Sequence, residues 1–158
     1  MMTHTETIGS KGGNPTIINL DTTSTTAAFT EGGLVAIDSD GYAEMCATAE
    51  TTGVIGVVAA GLPAADAAAV RPLAIQTDGL ATVYGWHDST WSTTGGTAIV
   101  PGDLVGPSGD SGSSYTGQVV GCTEATGEHA IGVALEPVTT CGTRYAIKVL
   151  LGPRRGGN

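Results

Sequence analysis

From Leu34 onward the apolar residues come in short runs separated by turns rich in glycine, aspartate and serine. That rhythm predicts strands and hairpins rather than helices. Leu34-Val35-Ala36-Ile37 runs into Asp38-Ser39-Asp40-Gly41, a good hairpin turn. Residues 54–59 are apolar throughout, as in a strand buried on both faces. Leu73-Ala74-Ile75-Gln76, the turn Asp78-Gly79 and the stretch from Leu80 to Tyr84 predict a second hairpin. Ile99-Val100 and Leu104-Val105 flank the turn Pro101-Gly102, and further strands are expected over 118–120, 130–135 and 145–151. In the last of these, alternation puts Tyr145, Ile147, Val149 and Leu151 on one face. A single short helix is expected over 63–69, with proline at its start. Residues 86–96 and 108–114 read as surface loops.

The strand pattern occurs twice. Gly33-Leu34-Val35, then Cys46, then Ile55-Gly56-Val57 is echoed by Asp103-Leu104-Val105, Cys122 and Ile131-Gly132-Val133. Each copy opens on a glycine-containing turn and ends on an apolar strand interrupted by one glycine. Two copies are too few for a solenoid, which needs at least about three stacked repeats. They fit a small β scaffold with pseudo-symmetry.

Composition sharpens this. The 158 residues suit one domain. Valine and threonine favour a pleated surface, and 25 glycines argue for many turns and against long helices. The fold class is therefore all-β: a small antiparallel β-barrel or sandwich with Gly/Thr-rich loops. Residues 1–30 differ, with the run Thr22-Thr23-Ser24-Thr25-Thr26 and one apolar segment, Ile17-Ile18-Asn19-Leu20. They read as an extended N-terminal arm with too little apolar surface to fold alone. Ile17, Ile18, Leu20 and Phe29 are its candidate anchors on a partner. The expected organisation is an arm over 1–30, a β-rich domain over 31–151 and a flexible basic tail over 152–158.

Charge excludes some partners. The net charge is −9, and all 15 acidic residues lie at or before Glu136. Binding to nucleic acid needs a basic face, so neither nucleic acid nor an anionic membrane is an expected partner. The apolar stretch over 54–70 is interrupted by Pro63 and Asp66 and is too short to span a bilayer. The start, Met1 to Thr7, lacks the basic and apolar regions of a secretory signal. Synthesis in the cytoplasm is the expectation, in keeping with three cysteines, an odd number.

Motifs for chemistry are weak. Gly109-Asp110-Ser111-Gly112 matches the stretch around the nucleophile of chymotrypsin-like proteases, whose serine needs a histidine base oriented by a carboxylate. His4 and His87 are the only upstream histidines, and the 87–111 interval cannot hold the intervening barrel. Asp38-Ser39-Asp40-Gly41 resembles the start of a calcium loop, but Ala49 stands where the closing glutamate belongs. His4, His87 and His129 lack zinc-ligand spacing. Cys46 and Cys122 read as small buried hydrophobes, with a Cys122–Cys141 disulfide as the alternative. Gly53-Val54-Ile55-Gly56 lacks the helix and acid of a nucleotide site. No enzyme, cofactor or metal is expected. Trp86 and Trp91 flank a polar loop and suit stacking on sugars, an interface or, equally, burial as a plug over the end of the barrel.

Over roughly residues 30–151 the chain resembles the capsid decoration (cement) proteins of tailed bacteriophages. The likeness rests on Gly33-Leu34-Val35, Ile55-Gly56-Val57, Asp78-Gly79, Pro101-Gly102-Asp103-Leu104-Val105, Ile131-Gly132-Val133-Ala134 and the closing Ile147, Val149 and Leu150. It departs in the longer loop over 86–96 and the alanine-rich 63–69 segment. The resemblance implies a barrel or sandwich subunit, commonly a homotrimer, on the outer surface of the capsid. It implies a clamp across neighbouring subunits of the major capsid protein that stabilises the expanded head. In that setting the arm suits strand addition to a partner's sheet edge. The alternative function is a carbohydrate- or receptor-binding β module using Trp86 and Trp91.

Overall fold

A computed structural model describes residues 15–22, 28–46, 54–86, 98–107, 120–122, 130–140 and 144–152. In chain order the elements are β1 (Ile17–Asp21), β2 (Leu34–Ile37), β3 (Ala43–Met45), β4 (Val54–Val58), α1 (Ala64–Ala68) and β5 (Pro72–Gln76). They continue as β6 (Gly79–Trp86), β7 (Leu104–Pro107), β8 (Val120–Cys122), β9 (Gly132–Ala134) and β10 (Arg144–Leu151). Among the described residues the protein is all-β apart from α1, as the turn spacing predicts.

The strands form two sheets of the same design. The first has the order β1-β5-β4-β2-β3. In the second, β6-β10-β9-β7-β8 repeats that order, element for element. The registers agree residue by residue. Val57 faces Gln76 and Val133 faces Leu150, while Val35 faces Gly56 and Val105 faces Gly132. Each sheet is antiparallel throughout, except where one parallel bridge draws its outer strands together. That bridge is Thr22↔Ala43 in the first sheet and Gly85↔Val120 in the second.

Backbone hydrogen bonds outside the strands repeat too. Phe29 and Leu62 exchange a pair of bonds at 2.8 Å, and Ile99 and Val138 exchange the equivalent pair at 2.9–3.0 Å. Gly32 N–H donates to the Val58 carbonyl at 2.9 Å, and Gly102 N–H to the Ala134 carbonyl at 2.8 Å. The glycine inside each Ile-Gly-Val phrase has one cause. A Cβ at Gly56 would collide with the Gln76 carbonyl oxygen, and one at Gly132 with the Leu150 carbonyl oxygen. In both units the neighbouring strand's backbone lies too close for any side chain.

The duplication revises three sequence expectations. It begins before Gly33, because β1 is the first strand of the first unit and corresponds to residues 80–84 of β6. The stretch over 15–22 is extended, as expected, but it completes a sheet rather than forming an arm without a core. Residues 73–84 are not a hairpin: β5 pairs with β1 and β4, and β6 with β10 and β8, so Asp78-Gly79 joins the two units. Finally, Val35 faces Met45 whereas Val105 faces Cys122, so the counterpart of Cys122 is Met45 and not Cys46.

Each unit has an interior. Phe29, Val35, Ala43, Val58, Ala67, Leu73 and Ile75 form the first core, against which Ile18, Leu20 and Leu62 pack. The second core contains their counterparts Ile99, Val105, Ala134, Val138, Ile147 and Val149, with Ala81 and Val83. It also takes in Leu34, Cys46, Val54 and Val57 of the first unit. Strand alternation accounts for Leu34, Cys46 and Val57, and the register shift between Val35 and Ala36, which pairs Ala36 with Val54, turns Val54 to the second core and Ile55 to the first. Val35 and Val58 point into their own core, so Leu34 and Val57 point out of it and are buried by the second unit. That is why residues 54–58 carry no polar side chain.

The same positions in the second unit lack that cover: Leu34 is 0% exposed and its counterpart Leu104 is 44% exposed. A buried leucine truncated to alanine costs about 2–5 kcal/mol, whereas surface substitutions usually stay within about 0.5 kcal/mol. Leu34→Ala should therefore lower the stability of the monomer, measured by urea denaturation at high dilution, by an amount in the first range, and Leu104→Ala by far less. Equal losses would contradict the asymmetric burial of the two rows.

Candidate functional site

The proposed anchors of the arm lie at different depths. Phe29 is 2% exposed, among the largest fully buried side chains of the first core, and so cannot reach a partner. This corrects its assignment as a binding residue; its aromatic ring fills the interior that its own unit supplies. Ile18 and Leu20 are half-buried against the same core. Ile17 is exposed on the opposite face of β1. Thr22, from the threonine run, is fully buried: its hydroxyl donates to the Ala67 carbonyl at 3.1 Å and accepts from Arg71 N–H at 3.2 Å. These bonds tie the end of β1 to α1 and to the turn after it.

Other sequence candidates separate cleanly. Trp86 does not open a loop; its backbone ends β6, opposite Arg144. The Arg144 guanidinium stacks 4.1 Å from the Tyr84 ring centroid, a cation–π contact across the same strand pair. Trp91, Ser111, His4, His87, His129 and Cys141 lie outside the described residues. Asp38 serves a turn: its Oδ1 accepts from Asp40 N–H and Tyr42 N–H, both at 2.9 Å, with Gly41 at φ +89. Cys46 is buried in the second core. Among the described residues no group of three His, Cys, Asp or Glu side chains is placed to hold a metal ion.

What the geometry does assemble is a surface. Four outward-facing residues stand opposite one another across the second sheet: Leu80 beside Leu150, Leu150 beside Val133, and Val133 beside Leu104. Leu80 is 54% exposed and Leu150 48%, and Val133 is half-buried. The equivalent row of the first unit is Ile17, Gln76, Val57 and Leu34, of which all but Ile17 are buried. This surface escapes sequence reading because its members come from four strands, and each alone is an ordinary exposed aliphatic residue.

Between the units, Val54, Ile55, Gly56, Thr77, Ile131, Leu151 and Gly152 line a cleft of about 20 Å³, room for a water molecule rather than an organic ligand. The connection beside it is pinned by polar contacts. The Gln76 side-chain amide donates to the Asp78 and Leu80 carbonyls at 2.9 and 2.8 Å. Asp78 in turn accepts from Thr16 N–H at 2.6 Å and the Thr16 hydroxyl at 2.7 Å. Hydrogen bonds from the Thr16 backbone, then from its side chain, hold the Asp78 carboxyl below its ordinary range.

No family model matches the chain, and no curated protein matches it. Among solved structures, it is similar to the crystal structure of the head fiber gp8.5 N base of bacteriophage phi29. The TM-score is 0.54 at 11% sequence identity, over 87% of this chain and 95% of that one. At that identity the likeness is one of fold.

The Thr16–Asp78 contact sets a pH dependence. Because the folded-state pKa lies below the unfolded one, the contact's contribution is present above pH ~4 and is lost as pH falls through the folded value. The Asp78 carboxylate remains in reach of solvent, which screens the contact and keeps the contribution small. Asp78→Asn should flatten the acid limb of stability against pH without changing it at pH 7–8 beyond a constant offset. An unchanged acid limb in thermal melts would contradict it.

Proposed function

We propose that the protein is a structural component of a tailed-bacteriophage virion, bound to the outer surface of the head. There it clamps neighbouring subunits of the major capsid protein, as a homotrimer. The observation that carries this reading is the fold likeness to the phage head fiber base, which extends over nearly the whole of that chain. The repeated strand phrases read from the sequence point the same way independently. Such a role asks for surfaces held rigidly rather than for reacting groups, and two sheets locked by a shared core supply them. It requires no cofactor.

The test is reconstitution. Heads assembled without this protein are mixed with the purified full chain and imaged by cryo-electron microscopy, and their DNA release is followed on heating. Added density on the outer face, spanning adjacent capsid subunits, with release shifted to higher temperature, is the expected result. Heads that stay bare at saturating protein would overturn the proposal; decorated heads with unchanged release would overturn the clamp.

A further inference from the structure

We infer that the row Leu80–Leu150–Val133–Leu104 on the second unit docks the first unit of a second copy of this chain. The inference deepens the self-association in the proposed function by assigning it a surface.

The argument is the inequality of two equivalent faces. In the first unit Gln76, Val57 and Leu34 are covered by the second unit, with which Leu34 and Val57 share a core. The turn beside them closes on the same neighbour: a Cβ on Gly32 would come within 2.8 Å of the Thr82 carbonyl oxygen. At Gly102, its counterpart, a Cβ would meet nothing within 4 Å. The second unit thus repeats the backbone of a surface that already receives a unit of this fold, and repeats it without the cover. Its chemistry has moved the same way. Where the first row has Gln76, with its amide consumed by Asp78 and Leu80, the second has Leu150, an exposed aliphatic side chain. A solvated face would favour the reverse exchange.

The occupant follows from that precedent. What covers the first row is a unit of this fold, and a second copy offers one, the first unit. The counterpart there of Thr82 is Asn19, which is exposed on β1. The tail after Gly152, Pro153-Arg154-Arg155-Gly156-Gly157-Asn158, has no aliphatic side chain to fill the row beyond its proline. The row of one copy would meet a different surface on the next, a heterologous contact that closes into a ring when the rotation permits, as a homotrimer requires.

The test is sedimentation velocity of the full chain over a concentration series, for the natural sequence, Leu150→Asp, Leu80→Asp and a control, Tyr145→Asp, exposed at the end of β10 remote from Leu150. Circular dichroism checks folding. Leu150→Gln, which installs the residue type found at the equivalent Gln76, serves if an aspartate variant does not fold. The natural chain and Tyr145→Asp should associate beyond the 15.7 kDa monomer. The row variants should dissociate with a constant raised about tenfold or more, the scale of losing a hot-spot side chain. A natural chain that stays monomeric, or row variants that associate as well as the control, would overturn the inference. The same variants are assayed for binding to bare heads. A monomeric natural chain whose row variants lose head binding assigns the row to capsid protein, overturning this inference and the trimer in solution while leaving attachment to the head intact.

Discussion

Leu34 and Val57 point away from the core of the unit they belong to, and burying them organises most of the molecule. Burying an aliphatic side chain of this size is worth about 1.5–3 kcal/mol relative to leaving it exposed. Left open, β2 and β4 would present an apolar outer face to water. The second unit covers that face and in return has its own core completed by it. The need for cover also restricts β4, which must be apolar on both sides, and fixes the Asp78-Gly79 connection, where the Gln76 amide holds the Asp78 and Leu80 carbonyls. Two sheets joined in this way form one body.

Duplication explains features that would otherwise look unrelated. The isolated pairs Phe29↔Leu62 and Ile99↔Val138 are the same closure made twice. The glycines at 56 and 132 answer the same close approach of a neighbouring carbonyl. Yet the copies have diverged in a direction. The first is closed on the side where the second sits, and the second keeps an apolar row at the corresponding place. That row is exposed, yet it is not made polar.

Much of this was legible in the chain. Strand and turn chemistry gave the all-β class, the hairpin at Asp38, the helix after Pro63 and the alternation of Ile147, Val149 and Leu151, although Tyr145, at the start of that face, stays exposed. The repeat was visible through Leu34-Val35 and Ile-Gly-Val because buried strands tolerate few residue types. Its first strand was not. The residues of β1 share no phrase with those of β6, as pairing along a sheet edge is made by the backbone and leaves side chains free to vary. Threonine was misleading for a similar reason: polar in composition, Thr22 is buried because its hydroxyl finds backbone partners. Phe29 read as an anchor because its distant partners, Val35, Val58 and Leu73, are assembled only by folding. The row across β6, β10, β9 and β7 was unreadable on the same ground, since register is a tertiary fact.

The measurement that bears most directly on the shared core is native-state hydrogen exchange with increasing denaturant, read at two equivalent amides. Val58 N–H bonds to the Gly33 carbonyl in the first unit, and Ala134 N–H to the Asp103 carbonyl in the second. If each unit depends on the other for burial, both amides should merge into one opening, with the same free energy and the same denaturant slope. Separate openings, with one amide exchanging at markedly lower free energy and a shallower slope while the other stays protected, would mean that the units fold independently and that the shared core does not hold them together.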